Sequence, residues 1–203
     1  MIGIVNYGLG NIQAFINIYS NMGYESMEIK TSDEMQQADR LILPGVGSFD
    51  WAIEKINSSG LNEPLNDFAL VKKLPILGVC IGMQIMANES EEGLKKGLGW
   101  IEGSVKKIPN KHDLNSISLP HMGWNKISNS SNNILFDSIE DPKFYFLHSY
   151  YFLPKYNENV ISTTSYGFTF ASAINSLNIY GTQFHPEKSH EWGTSLLQNF
   201  AEI

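Results

Sequence analysis

The sequence predicts an α/β fold, in which helices flank a mainly parallel central sheet and antiparallel strands extend that sheet. Three observations lead to this prediction. Strand-like and helix-like segments alternate through residues 1–84. A glycine-flanked cysteine follows the last strand of that series. The second half of the chain contains shorter strand-like runs that are rich in aromatic and β-branched residues.

Hydrophobic periodicity defines the elements of the first half. The predicted strands are 2–6, 25–30, 40–43 and 74–79. Apolar residues at helical spacing predict helices over 12–22, over a segment that begins near Trp51, and over 61–73. A short helix is also expected after Thr31, because threonine is a common helix cap. Alternation of this kind places the strands in one parallel sheet that is covered on both faces.

The second half has a different pattern. Strand-like runs at 103–108, 144–152, 160–165 and 170–174 are interpreted as antiparallel additions to the same sheet. A further strand is predicted at 178–184 and a closing helix at 194–201, and the polar segments 109–118 and 127–133 are predicted to be solvent loops. Because no repeat and no long linker interrupts the chain, residues 1–203 are expected to form one domain.

Composition excludes several classes of function. With 203 residues, 42% of them hydrophobic and 17% charged, the chain has the make-up of a soluble globular domain. Its single cysteine excludes an internal disulfide and suits a reducing compartment. No apolar run approaches the ~20 residues of a membrane span and the N-terminus lacks a basic leader, so we expect a cytoplasmic protein with no membrane partner. A net charge of -7, with 14 scattered basic residues, argues against binding to nucleic acid.

Cys80 lies where an α/β fold carries a nucleophile. The segment Gly78-Val79-Cys80-Ile81-Gly82 follows a buried-looking strand and precedes an apparent helix. In the serine version of this pattern, G-x-S-x-G, the glycines permit a sharp turn that holds the reactive atom above the sheet. A helix N-terminus at that place favours a thiolate and directs N–H groups at a developing oxyanion. The alternative is a small buried hydrophobic residue, and the flanking glycines favour the nucleophile.

His185 and Glu187 are the predicted base and orienting group. His185 ends the predicted strand 178–184, and Pro186 turns the chain away from the sheet, so that the imidazole and the Glu187 carboxylate share one sheet edge. Ligands of open α/β sheets bind at the carboxyl ends of the strands, where Cys80 also lies. A solvated or packed histidine after a strand is the alternative. The agreement of the three positions favours a Cys-His-Glu triad.

Other sites are less well supported. Backbone N–H groups of Ile81 and of the glycine-rich loop 44–47 are candidates for an oxyanion hole, although a plain strand-to-helix turn also explains that loop. No nucleotide cofactor is predicted, because Gln13 stands where the dinucleotide fingerprint requires its third glycine. No metal is predicted, because no two histidines have the spacing of helical metal ligands. His112 and His190 lie in polar surroundings and are predicted to be surface residues.

Six segments carry a family pattern, in order and over nearly the whole chain. They are 6–11 (NYGLGN), 44–49 (PGVGSF), 78–84 (GVCIGMQ), 120–125 (PHMGWN), 144–150 (FYFLHSY) and 183–189 (QFHPEKS). Together they resemble the class I (triad-type) glutamine amidotransferases, and within that family the glutaminase subunits of imidazole glycerol phosphate synthases. The resemblance implies a single amidotransferase domain over 1–203 with a flavodoxin-like fold and a nucleophile elbow.

The resemblance also implies a reaction. The Cys80 thiolate attacks the side-chain amide of L-glutamine, His185 transfers protons, Glu187 orients the imidazole, and the products are glutamate and ammonia. The N–H groups of Val46 and Ile81 are expected to form the oxyanion hole. The residues expected to hold glutamine are Gly45, Gly47, Gln84, Glu92, His148, Ser149 and Tyr150.

A protein partner is implied as well. In this family the glutaminase forms a heterodimer with a (β/α)8-barrel cyclase, which uses the ammonia to make imidazole glycerol phosphate and an aminoimidazole carboxamide ribonucleotide in histidine biosynthesis. The positions expected at that interface are Asn11, Trp124, Tyr145 and Lys188.

Three alternatives stay open at the level of sequence. Segments 97–100 and 190–193 look like those of paralogues that supply ammonia to sugar amidotransferases in surface-glycan biosynthesis, and 116–119 lacks a basic residue often found there. The chain could also be an inactive binding module that keeps the fold, although an intact triad argues against this. A cysteine protease of similar fold is disfavoured, because Gln84 and the segment 148–150 suit a small amide better than a peptide.

Overall fold

The structure, a computed structural model, describes residues 1–109, 117–129 and 133–203. Its strands are β1 (Ile2–Val5), β2 (Ser26–Ile29), β3 (Arg40–Leu43), β4 (Ile76–Val79), β5 (Glu89–Ser90), β6 (Gly103–Lys107), β7 (His121–Lys126), β8 (Ser128–Asn129), β9 (Lys143–His148), β10 (Tyr150–Pro154), β11 (Val160–Ser165), β12 (Thr169–Ser176) and β13 (Ile179–Thr182). Its α-helices are α1 (Ile12–Asn21), α2 (Ser32–Met35), α3 (Phe49–Ser59), α4 (Asn62–Asn66), α5 (Ile81–Gln84) and α6 (His190–Glu202). A π-helical turn, Asp67–Val71, continues α4, so the predicted helix 61–73 is present in two parts.

An eight-stranded sheet has the order β2-β1-β3-β4-β13-β12-β11-β8. The first five strands in this order, β2, β1, β3, β4 and β13, run parallel to one another. The strands β12, β11 and β8 extend the sheet in antiparallel pairs. The predicted fold class is confirmed. If β13 is counted as the fifth strand, the parallel part has the flavodoxin-like order 2-1-3-4-5.

Local sequence accounts for several helix boundaries. Asn11 accepts a hydrogen bond from the Ala14 N–H at 3.2 Å and so caps α1. At α2, Thr31 Oγ1 accepts from the Glu34 N–H while the Glu34 carboxylate accepts from the Thr31 N–H, which completes a capping box. Helix α3 ends at Gly60, whose φ of 75° is a left-handed conformation that glycine adopts more readily than other residues. The helix predicted after Thr31 is thus confirmed with its cap.

Two predicted additions to the main sheet lie elsewhere. The run 103–108 gives β6, which belongs to a three-stranded sheet of order β10-β6-β5. The run 144–152 is interrupted at Ser149, so that β9 pairs with β7 and β10 pairs with β6. The prediction that both runs join the main sheet is therefore wrong. Alternation of apolar residues determines which face of a strand is buried, but it does not determine which strand pairs with it.

The polar segment 127–133 is predicted to be a loop, and this is wrong at its start. Ile127 is buried, and the short strand β8 that follows pairs with β11. Residues 130–132, most of the predicted loop 109–118, and His112 lie outside the described residues. Within the described ranges, no helix has the length and apolarity of a membrane span.

Candidate active site

Cys80 occupies a sharp turn between β4 and α5. Its backbone has φ 55° and ψ −110°, a conformation that side-chain-bearing residues rarely adopt. A Cβ on Gly82 would lie 1.8 Å from the Leu43 carbonyl oxygen, and a Cβ on Gly78 would lie 2.5 Å from the Gly82 carbonyl oxygen. The Cys80 N–H donates to the Thr182 carbonyl at 2.8 Å, which fixes the turn to β13. The glycine pattern thus forms the predicted elbow through close backbone approach.

The helix after the elbow is shorter than the sequence suggests. Helix α5 spans only Ile81–Gln84, so the macrodipole of a long helix is not available to the sulfur. Ile81 is the first residue of this turn, where the backbone N–H has no acceptor within the helix. Any stabilisation of an anion beside Cys80 therefore comes from individual N–H groups rather than from a helix dipole.

His185 and Glu187 lie next to each other at the end of β13. A 3-10 turn, Pro186–Lys188, brings the Glu187 Oε1 to 2.9 Å from His185 Nδ1, and the two side chains are 2% and 5% exposed. Burial opposes protonation of the imidazole, but hydrogen bonds to Cys80 and to Glu187 outweigh burial and raise the pKa of His185 to about 10. The His185 imidazole thus contacts both of the other predicted triad side chains, Cys80 and Glu187.

A pocket with a volume of about 260 Å³ opens beside the sulfur. Most residues predicted for the site line it, and Pro120 and Leu147 are additional lining residues. The predicted members in its wall are Val46, Gly47, Cys80, Ile81, Gln84, Glu92, His148, Ser149, Tyr150 and His185. Two predicted members, Gly45 and Glu187, are not part of the wall. Glu187 lies behind the imidazole, where it can act only through His185.

Gly45 supports the pocket from behind. A Cβ at this position would lie 2.7 Å from both the Gly82 backbone nitrogen and the Tyr7 hydroxyl. That hydroxyl donates to the Pro44 carbonyl at 2.7 Å. These contacts hold the loop 44–47 against the elbow, with Val46 45% exposed at the pocket mouth.

Gln84 and Glu92 supply polar groups to the pocket wall. The Gln84 Nε2 donates to the Tyr150 carbonyl at 2.9 Å and to Gln183 Oε1 at 3.0 Å, while the Gln84 Oε1 is buried without a partner among the described residues. The Glu92 carboxylate accepts from the Phe49 N–H at 2.8 Å. Burial raises the pKa of Glu92 against the effect of that hydrogen bond. Both side chains are therefore oriented before any ligand binds.

Two buried histidines, His148 in the pocket wall and His121 behind it, are joined by a hydrogen bond that defines their tautomers. His148 Nδ1 is 2.8 Å from the Tyr150 carbonyl oxygen, and His148 Nε2 is 3.0 Å from His121 Nδ1. Because a carbonyl only accepts, His148 carries its proton on Nδ1 and accepts from His121 on Nε2. Burial lowers the pKa of His148 to about 3 and that of His121 to about 4, so both are neutral at pH 7. With both nitrogens bonded inside the protein, His148 offers a ligand its ring surface.

Three of the four predicted interface residues lie together. The rings of Trp124 and Tyr145 are 6.2 Å apart, and Lys188 Nζ is 5.8 Å from the centre of the Tyr145 ring. His190, predicted to be a surface residue, is exposed and stacks on Trp124 at 5.1 Å. Asn11 belongs to the loop beside Pro44 and caps α1.

Sequence reasoning missed Pro120, Leu147 and Gln183. Leu147 provides a carbonyl oxygen 3.8 Å from Cys80 Sγ, and Gln183 Nε2 lies at the same distance. Residues two apart in a strand point to the same face, so the spacing of Gln183 from His185 is a signal that could have found it. The contribution of Leu147 is a backbone atom and leaves no signal in the sequence.

Comparison with known proteins identifies relatives over the full length of the chain. The model of the family described as glutamine amidotransferase class-I matches residues 4–203. Imidazole glycerol phosphate synthase subunit HisH from Leptospira interrogans is 46% identical over 204 residues, covering 100% of both chains. The same subunit from Leptospira borgpetersenii is 47% identical, also with 100% coverage of both.

Solved structures of distant relatives share the fold. The structure of PurLQS from Thermotoga maritima superposes with a TM-score of 0.72 at 17% identity, over 99% of this chain and 97% of that chain. The glutaminase domain of Trypanosoma brucei CTPS, solved with bound acivicin, gives a TM-score of 0.66 at 15% identity, over 99% of this chain and 93% of that chain.

Proposed function

The chain belongs to the glutamine amidotransferase class-I family, and from that membership we propose that it is the glutaminase subunit of an imidazole glycerol phosphate synthase. It hydrolyses L-glutamine to glutamate and ammonia as a single domain over 1–203. The observation that carries this proposal is the contact of Cys80, His185 and Glu187 beside a small pocket. The two Leptospira relatives with 100% coverage bear the name of this subunit.

The reaction follows from the positions of the three side chains. His185, whose pKa is raised to about 10, holds the proton of the Cys80 thiol, so the sulfur attacks the amide carbon of glutamine and the imidazolium then protonates the leaving nitrogen as ammonia departs. Water, deprotonated by the now neutral His185, attacks the thioester and releases glutamate with the regenerated Cys80 sulfur. Glu187 holds the imidazole through Nδ1, which leaves Nε2 to face the sulfur and the substrate.

The pocket supplies the remaining contacts. Backbone N–H groups of Val46 and Ile81 stabilise the oxyanion of the tetrahedral intermediate. The Gln84 Oε1, which has no hydrogen-bond partner in the described part of the chain, is an acceptor for a glutamine N–H group, and the Glu92 carboxylate attracts the α-ammonium group. Gly47, His148, Ser149 and Tyr150 complete the wall, and Gly45 keeps the loop in place.

The product explains the need for a partner. Ammonia released into water at pH 7 becomes ammonium, which is not a nucleophile, so it must pass directly to an acceptor site. We assign that role to a (β/α)8-barrel cyclase in a cytoplasmic heterodimer, docked on the surface formed by Trp124, Tyr145 and Lys188, with Asn11 at its margin. The exposed Trp124 and the half-buried Tyr145 are residue types that dominate binding energy at interfaces.

The test is a coupled assay of the purified chain with the cyclase subunit and its nucleotide substrate. We expect glutamate release and formation of imidazole glycerol phosphate in equal amounts. The same chain is then offered a sugar amidotransferase in place of the cyclase, which tests the surface-glycan alternative. Glutamate release supported only by the sugar enzyme would overturn the histidine-pathway assignment. The absence of glutamate release with either enzyme would overturn the assignment of glutaminase activity.

A further inference from the structure

We propose that Gln183 is a further catalytic residue, whose side-chain N–H donates to the Cys80 sulfur and stabilises it as a thiolate. The proposal rests on the proposed function, because it concerns the same nucleophile. Gln183 Nε2 lies 3.8 Å from Cys80 Sγ, within the range of hydrogen bonds to sulfur, and the side chain has no exposure to solvent. The steps proposed for glutamine hydrolysis leave this buried amide without a role.

A carbonyl oxygen near the sulfur makes the contact with Gln183 important. The Leu147 carbonyl oxygen is also 3.8 Å from Cys80 Sγ and accepts from the neutral thiol. Once the proton moves to His185, a carbonyl oxygen and a negative sulfur repel each other. A further donor beside the His185 imidazolium offsets this repulsion, because hydrogen bonds to the charged form of a group favour that form. Gln183 is placed to be that donor.

The orientation of the Gln183 amide is determined by its neighbour. Gln84 Nε2 donates to the Tyr150 carbonyl and to Gln183 Oε1. A carbonyl can only accept, so the Gln84 nitrogen must face Tyr150, and it therefore presents its second N–H to Gln183. A reversed Gln183 amide would set two NH2 groups against each other at 3.0 Å. The nitrogen of Gln183 is thus the end that points at the sulfur.

The neighbouring strand β12 fixes the position of the Gln183 backbone. The Gln183 N–H donates to the Ser172 carbonyl at 2.9 Å, so the residue extends the register of β13 against β12. A buried amide without partners is unfavourable, which means that the sulfur is one of the groups that satisfy it. An apolar side chain of similar volume would fill the space with no such requirement. The polar residue is therefore explained by the reactive atom it contacts.

The experiment measures alkylation of Cys80 by iodoacetamide in the full chain, as a function of pH. In Gln183→Met, a change that keeps volume and removes the donor, we expect the rate at pH 7 to fall about tenfold, the effect of losing one hydrogen bond to a charged group. The pH of half-maximal alkylation should move upward. With glutamine and the partner complex, kcat should fall while KM changes by less than about twofold, since uniform substrate binding is retained.

Ser172→Ala is the matched control. It removes the buried hydroxyl pair with Ser162, at 2.7 Å, in the strand beside Gln183, and leaves the Ser172 carbonyl unchanged. Its alkylation profile should equal that of the unaltered chain. An unchanged profile in Gln183→Met, or an equal loss in Ser172→Ala, overturns the proposal. Because alkylation needs no glutamine, failure of the glutaminase assay in the unaltered chain would count against the proposed function and not against this contact.

A second measurement covers the case in which Gln183→Met does not fold. In the unaltered chain labelled with nitrogen-15, the side-chain amide protons of Gln183 are assigned through their own backbone and followed over the same pH range. We expect one of them to move with the loss of the thiol proton, and the movement to disappear in Cys80→Ala. Side-chain amide resonances that respond neither to the change of pH nor to Cys80→Ala overturn the proposal.

Discussion

His185 Nδ1 and Glu187 Oε1 are 2.9 Å apart in a region almost closed to solvent. The other carboxylate oxygen, Oε2, has no hydrogen-bond partner among the described residues. Glu187 therefore holds the imidazole through one charged hydrogen bond, and its charge contributes to the raised pKa of His185. Removing that charge should affect catalysis more than it affects folding.

Glu187→Gln tests this relationship, because it keeps the shape and removes the charge. The amide can still contact Nδ1, but its N–H favours the wrong tautomer, and we expect kcat for glutamine hydrolysis to fall by about 10²- to 10⁴-fold. The measurement is the initial rate of glutamate release in the partner complex. Glu191→Gln, a change at an exposed carboxylate on α6, is the control and should keep full activity. A wild-type rate in Glu187→Gln would show that the carboxylate does not orient the base.

Cys80→Ala separates chemistry from assembly. Without the sulfur no thioester forms, so synthesis that depends on glutamine should stop, whereas binding of the cyclase and synthesis from added ammonium salts should continue. Both activities are measured on the same purified complex. Loss of both would mean that Cys80 supports the structure of the elbow rather than the reaction.

The elbow itself predicts a strong effect at Gly82. A Cβ there would approach the Leu43 carbonyl oxygen to 1.8 Å, so Gly82→Ala must displace either β3 or the elbow, and we expect a loss of about 3 kcal/mol or more in the free energy of unfolding. Gly60→Ala is the control, since Gly60 has φ +75° and open space around it. That change should cost only about 1 kcal/mol. Urea unfolding measures both, and equal losses would contradict the steric argument.

The sequence predicts the parallel half of the fold because its signals are local. The strand Arg40–Leu43 and the cap at Thr31 depend on residues next to each other in the chain, and both occur as predicted. The partners of β6 and β9 depend on which edges meet in space, and no local pattern records this. That is why the sequence prediction places two runs, which form the three strands β6, β9 and β10, in the wrong sheet.

The site divides in the same way. Cys80 and its glycines form a short motif, as do His185 and Glu187, and sequence reasoning finds both. The hydrogen bonds that orient Gln84 join it to Tyr150, 66 positions away, and to Gln183, 99 positions away. Such pairs are created by the fold, so their roles cannot be read from spacing.

The aromatic surface predicts a binding defect. Trp124 is 38% exposed and packs on Tyr145 and His190, so Trp124→Ala should remove an anchor from the proposed interface and weaken binding of the cyclase subunit by about tenfold or more. Calorimetry of the two purified subunits measures the dissociation constant. Tyr156→Ala is the control, because Tyr156 is 46% exposed and lies outside this cluster. Equal affinities of the two variants would place the interface elsewhere.

The buried histidine pair predicts loss of stability in acid. The pKa of His121 is lowered to about 4 and that of His148 to about 3, in both cases mainly by burial, while the charges of His121 and His185 lower the pKa of His148 further. An unfolded histidine titrates near 6.5, so between that pH and about 4 the unfolded chain binds more protons than the folded one. The free energy of unfolding must then fall as the pH falls, by up to about 1.4 kcal/mol per pH unit for each histidine.

His121→Asn tests the source of this slope. Asparagine can still donate to His148 Nε2 but does not titrate. The slope of the free energy of unfolding against pH in acid should therefore decrease by the contribution of about one bound proton, about 1.4 kcal/mol per pH unit. Urea unfolding between about pH 4 and 7 gives the slope directly. Ser172→Ala, which removes a buried hydrogen bond without a titrating group, should lower stability by about 1 kcal/mol at every pH and leave the slope unchanged. If His121→Asn keeps the full slope, the acid sensitivity comes from other groups and the neutral pair does not govern it.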